Sequence, residues 1–211
     1  MPAKLPPMTP LAPKTITLLR LSVATVLGDW DLLRELRRAA GEGEPDRAWR
    51  EAVLQTHLFA GFPRLVEAFG VLEEEGGLGV ISDEERSEAR SEAEDIDAGY
   101  EFFERVYGHR APRVREMLES HHPDWGRWIL GHAYGRVLTR PGLSAAKREL
   151  CAVVSLAALS QDRQLAGHAR GAMNCGAKPK ELEAALEAVA DLLSESNLQR
   201  AQRVVRAFTA S

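Results

Sequence analysis

Ser144-Ala-Ala-Lys-Arg-Glu-Leu-Cys-Ala-Val-Val-Ser-Leu-Ala-Ala-Leu159 decides the fold. Ser144 suits an N-cap, because its hydroxyl can accept from the first free amides of a helix. From Leu150 to Leu159 the segment is apolar on nearly every face, the pattern of a helix enclosed by other helices. Downstream, a break at Ser160–Asp162 leads into a helix ending near Asn174, with Gly176 as its left-handed terminator. Pro179 opens another helix with Leu182, Leu186, Val189 and Leu193 on one face. Ser196–Phe208 makes the last.

Upstream, no stretch alternates with period two, and Gly and Pro punctuate lengths suited to helices. Helices are expected over Thr15–Leu27 and Asp31–Ala40, the second ending in the Gly41/Gly43 break. Pro45 suits the first turn of a third helix with Trp49, Val53 and Leu54 as its apolar stripe. Gly61-Phe62-Pro63 interrupts that helix, and Leu65–Leu72 continues it. Gly76-Gly77-Leu78-Gly79 reads as a linker. Ser82 with Glu85 forms a capping box for a helix reaching Tyr107, followed by Pro112–Ser120 and Asp124–Leu138. The order helix, Gly break, Pro-initiated helix occurs at Gly43/Pro45 and again at Gly176/Pro179, so two pseudo-repeated halves are expected in one compact all-α bundle. The expected divisions are a Pro-rich arm over 1–14, a degenerate first repeat over 15–75, a linker and acidic helical connection over 76–134, and the second repeat over 135–211.

Composition narrows the function classes. A formal charge of −4 gives no electrostatic case for nucleic acid. Between Glu73 and Glu104 stand 13 acidic residues against Arg86 and Arg90, so this stretch carries −11 and the remainder about +7. Such a run reads first as a solvated helix face and second as an acidic docking surface. Cys151 and Cys175 form no CxxC, which argues against a disulfide framework or a thiol-redox motif. The apolar run ending at Leu159 is too short to span a membrane, and the cytoplasm is the expected compartment. His121 and His122 are adjacent on a helix and point apart, which makes them poor joint metal ligands. Trp125 and Trp128 share a helix face as core or subunit-contact residues. His132 and Tyr134 are read as surface or packing residues before pocket residues.

Glu149 and His168 are the principal chemical candidates. Glu149 shares a helix face with Val153 and Leu156, so its carboxylate needs a partner to stay charged beside the core. If the chain reverses at Ser160–Asp162, His168 comes within about one helical turn, roughly 5 Å, of the level of Glu149. Such a pair can fix an imidazole tautomer for proton transfer. It can equally be a structural contact.

The segments Gly135-Arg-Val-Leu-Thr-Arg-Pro-Gly-Leu-Ser144, Arg148-Glu149-Leu150, Gln164-Leu165-Ala-Gly-His168 and Ala172-Met-Asn-Cys-Gly176 together resemble the opening of a carboxymuconolactone decarboxylase domain. The resemblance covers Gly135 to Leu193. It implies an alkyl hydroperoxidase D-like helical fold and cofactor-free chemistry, in which a small lactone or carboxylate loses CO2 while acid–base side chains handle the proton. It also implies homo-oligomers, commonly trimers or hexamers. Against the superfamily's thiol enzymes, Glu149 and His168 occupy the Glu and His positions, while Gln161 and Gln164 stand where the two cysteines would be. An amide cannot replace a thiolate in peroxide chemistry.

The family's closing segment is missing after Leu182. A similar segment stands in the first half, as Glu51-Ala-Val-Leu-Gln55-Thr-His57-Leu-Phe59-Ala-Gly61-Phe-Pro63. One composite pocket is therefore expected, with Glu149 and His168 as catalytic residues and Glu51, Gln55, His57, Gln161, Gln164 and Arg163 binding substrate. Arg148 is an alternative to Arg163 for holding a substrate carboxylate. Three readings stay open: an acid–base lyase, a non-catalytic oligomeric binding or scaffold protein, and a peroxidase relative that has lost its thiol activity. A pocket open to both Glu149 and His168 would favour catalysis, whereas a pair buried dry would favour a scaffold.

Overall fold

The computed structural model describes residues 10–40, 46–87 and 89–209. Among these the chain is helical, with no strand. Most of the arm over 1–14, the Gly41/Gly43 break and the Pro45 helix start lie outside the described residues.

Helix α1 (Pro13–Leu27) starts on Pro13 and ends at Gly28, whose φ of 72° places it in the left-handed region. Asp29 then caps α2 (Trp30–Ala39) by accepting from the Leu32 amide. Asp46 caps α3 (Arg47–Gln55) in the same way through Ala48. In α4 (His57–Glu74) the backbone leaves helical geometry at Gly61, with φ 80° and ψ 168°, and Pro63 restarts it. This is the expected interruption, and the restarted part runs past Leu72 to Glu74.

The single helix expected from Ser82 to Tyr107 is two. Ser82 does accept from the Glu85 amide at 3.1 Å, but α5 (Asp83–Ser87) is short. Ser91 and Glu94 form a second, reciprocal capping box that opens α6 (Glu92–Tyr107). The acidic run is mostly solvent-exposed, and part of it supplies counter-charge. Asp95 meets Arg90 and Arg136, Glu85 meets Arg50, and Glu75 meets Arg34 and Arg38.

After α7 (Ala111–His121) and the short α8 (Trp125–Trp128), residues Ile129–Val137 form a π-helical segment. It lies against α6 in near backbone contact. A β-carbon at Gly99 would sit 2.0 Å from the Leu130 carbonyl oxygen, and one at Gly135 would sit 1.8 Å from that of Asp95. Only glycine permits this crossing.

Helix α9 (Ala145–Ala158) is capped by Ser144 and buried at every position from Arg148 to Ala158. It packs against α1 and against α10 (Asp162–Asn174), with α11 (Pro179–Glu187) and α12 (Glu195–Thr209) closing the same core. Ser160, at φ 58°, makes the reversal into α10. A second apolar cluster gathers Phe102, Phe103 and Val106 of α6 with Leu130, Tyr134 and Cys175.

Candidate functional site

The reversal at Ser160 makes α9 and α10 neighbours and brings Glu149 to His168. His168 Nδ1 lies 2.9 Å from Glu149 Oε2. Gly171, one turn beyond His168, allows the carboxylate between the helices, since a β-carbon there would fall 2.6 Å from Oε2. Glu149 is fully buried, and its Oε1 has no hydrogen-bond partner among the described residues. His168 is 7% exposed and meets the Phe59 ring edge-on at 5.8 Å between centroids.

Two tyrosines stand close by: Tyr134, read from the sequence as a surface or packing residue first, and Tyr107, which the sequence did not single out. Tyr134 of the π-helical segment lies 3.0 Å, hydroxyl to hydroxyl, from Tyr107 at the end of α6. Burial raises the pKa of both phenols above the usual tyrosine value, and the negative charge of Glu149 adds to this. They are held as neutral phenols beside the carboxylate. Cys175 is subject to the same two influences and is pushed up to about 11. Nothing in the spacing of Tyr107 and Tyr134 announces their contact; only the Gly99–Gly135 crossing creates it.

The remaining predicted residues go elsewhere. Arg148, adjacent to Glu149 on α9, is completely buried and donates to Glu51 Oε2 at 2.8 Å and to the carbonyls of Arg140 and Pro141. Gln55 donates to the Arg148 carbonyl at 3.1 Å and accepts from its guanidinium at 3.3 Å. Arg140 closes the group on Glu51 at 2.9 Å. Glu51 and Gln55 are thus both bonded to Arg148. Gln161, Arg163 and Gln164 are exposed around the start of α10.

His57 belongs to a different place, a cleft of about 650 Å³ between the starts of α4 and α6, α8 and the π-helical segment. Phe62, Trp125, Trp128 and His132 share its wall, whereas Glu149 and His168 do not. Trp125 and Trp128 are therefore not core: they are 42% and 64% exposed. The signal for the cleft was the Gly131–Gly135 spacing around His132. Among the described residues no group of His, Cys, Asp and Glu side chains is arranged to hold a metal ion, and no helix is long and apolar enough to cross a membrane.

Two relatives are both named Peroxisomal protein 2. The Schizosaccharomyces pombe protein is 28% identical over 154 residues, which span 71% of this chain and 70% of that protein. The Saccharomyces cerevisiae protein is 27% identical over 172 residues, spanning 70% of this chain and 60% of that one. A sequence model described as the carboxymuconolactone decarboxylase family matches residues 123–207. That stretch runs from before α8 into α12 and contains the whole segment Gly135–Leu193 in which the resemblance was read. Residues 123–207 of this chain are similar to the carboxymuconolactone decarboxylase family.

Proposed function

We propose that Glu149 and His168 are the acid–base unit of a cofactor-independent enzyme of carboxy-lyase type, acting on a small carboxylate or lactone. The observation that supports it is the 2.9 Å contact between His168 Nδ1 and Glu149 Oε2. A carboxylate only accepts, so Nδ1 carries the hydrogen, and the neutral imidazole keeps its lone pair at Nε2. Among the described residues no hydrogen bond engages Nε2. His168 takes up a proton from solvent there, with Glu149 steadying the resulting cation. As the bond to the departing carboxylate breaks and CO2 leaves, its electron pair passes into the conjugated lactone, and Nε2–H returns one proton to carbon. Arg163 is the assigned partner of a substrate carboxylate, with Gln161 and Gln164 beside it, because Arg148 is already committed to Glu51. The test is CO2 release from a panel of carboxylated lactones. His168→Ala is expected to lower kcat by at least about 100-fold; absence of CO2 release, or an unchanged kcat in that variant, rejects this reading.

A specific observation also favours the second reading, a non-catalytic oligomeric binding protein. Glu149 and His168 are 0% and 7% exposed, and the 650 Å³ cleft lies elsewhere. Diethyl pyrocarbonate separates the two. A working site has His168 modified in the native protein and protected by substrate, whereas a closed structural pair reacts only on unfolding. We propose likewise that the chain forms a homo-oligomer, a trimer or hexamer, and works in the cytoplasm. The yeast relatives are named peroxisomal, so fluorescence localisation of the tagged chain in its own cells decides the compartment.

A further inference from the structure

The cleft beside α8 contains a directional chain of hydrogen bonds that ends without a donor. His57 Nδ1 contacts the Leu54 carbonyl, and a carbonyl can only accept, so Nδ1 bears the hydrogen. Neutral His57 then has its lone pair at Nε2. His132 Nε2 is 2.8 Å away and donates to it. This fixes the remaining lone pair of His132 on Nδ1, for which no described residue supplies a donor. Burial lowers the affinity of His132 for a further proton, the neighbouring His57 and Arg136 lower it more, and Asp95 only partly opposes them. At neutral pH the chain therefore terminates in an acceptor.

Four charged groups line the cleft, two of each sign. Arg136 is 2.7 Å from Asp95, which Arg90, outside that wall, also meets at 3.1 Å. Arg127 is 2.7 Å from Glu92. Each charged group in the wall has its counter-ion, which leaves no cation committed to a ligand carboxylate and no anion committed to an ammonium. The rest of the wall is flat and apolar: Phe62 stacks on the His57 ring at 4.9 Å, and Trp125 and Trp128 present exposed indoles. The volume is within the range of small-molecule sites, which combine apolar walls with a few placed polar groups.

From this arrangement we infer that the cleft binds an uncharged aromatic alcohol, its ring against Phe62 and the indoles and its hydroxyl donating to His132 Nδ1. This site is independent of any chemistry at His168. The test is calorimetric titration of the full chain at pH 7.5 with 1-naphthol, 1-methoxynaphthalene and 1-naphthoate. Naphthol is expected to bind saturably at one per chain. The methyl ether, which cannot donate, and the carboxylate are each expected to bind at least about fivefold more weakly, the value of one hydrogen bond. His132→Phe removes the acceptor and keeps a ring, and should abolish the preference for naphthol over its ether; Trp128→Ala should weaken both ligands. Circular dichroism checks that the variants fold, and the naphthol–ether comparison on the unaltered protein stands without them. No saturable binding, equal binding of alcohol and ether, preference for naphthoate, or a preference surviving His132→Phe in a folded variant would overturn the inference.

Discussion

Glu51 has 1% of its side chain exposed, and two guanidiniums, those of Arg140 and Arg148, close on it. Arg148 in turn is fully buried, and burial pulls its affinity for a proton down while Glu51 raises it. Removing one partner leaves an uncompensated charge in the core, which costs about 3–5 kcal/mol. Glu51→Ala should therefore lower the urea midpoint sharply, whereas a joint replacement of Glu51 and Arg148 by apolar side chains should recover much of the loss. A second prediction concerns Cys151, whose thiol burial pushes up to about 11 while Ser22 and Arg148 oppose the shift. The native thiol keeps a proton that the unfolded chain releases near pH 9. Stability is thus unaffected by this group below about pH 9 and falls as pH rises towards about 11, by at most about 1.4 kcal/mol per pH unit. Urea titrations at pH 8 and 10.5 should show the fall, and Cys151→Ala should make it shallower. An identical slope in that variant contradicts the assignment.

At the scale of elements, the crossing of α6 with the π-helical segment is the most sequence-sensitive joint. Alanine at Gly99 or Gly135 would normally favour a helix by up to about 1 kcal/mol. Here its β-carbon meets backbone oxygen at 2.0 or 1.8 Å, so each substitution should destabilise the fold by about 2 kcal/mol or more in denaturant titrations. This crossing also explains what could be read in the sequence and what could not. The α9–α10 pair was legible because its information is local: a serine cap, an apolar run, a break, and Glu149 and His168 at matching levels. Asp124–Leu138 also read as a helix, but its π geometry depends on Gly99, which lies outside that segment. Likewise, Ser91 replaces Ser82 as the cap of the long helix because Ser91 and Glu94 bond reciprocally. The Arg148–Glu51 and His57–His132 pairings join residues 97 and 75 positions apart. Periodicity has no access to such distances, and for that reason His57 was grouped with His168 and not with His132.

Across the whole molecule the two halves share one interior. Helix α1 packs along α9, and Trp49 of α3 belongs to the same apolar cluster as Leu150 and Leu182. Val66 remains exposed, and sedimentation equilibrium is expected to find a trimer or hexamer; a monomer at micromolar concentration would remove that proposal. The shared interior also bears on how this protein can be cut. A gene fragment encoding only residues 123–207 would contain the whole stretch that matches the family, yet it would strip α1 from α9 and leave Arg148 without Glu51. Such a fragment should be recovered as aggregate, and should become soluble when the first 75 residues are co-expressed as a separate polypeptide. The stretch that resembles a known family and the stretch expected to fold are therefore different lengths of chain.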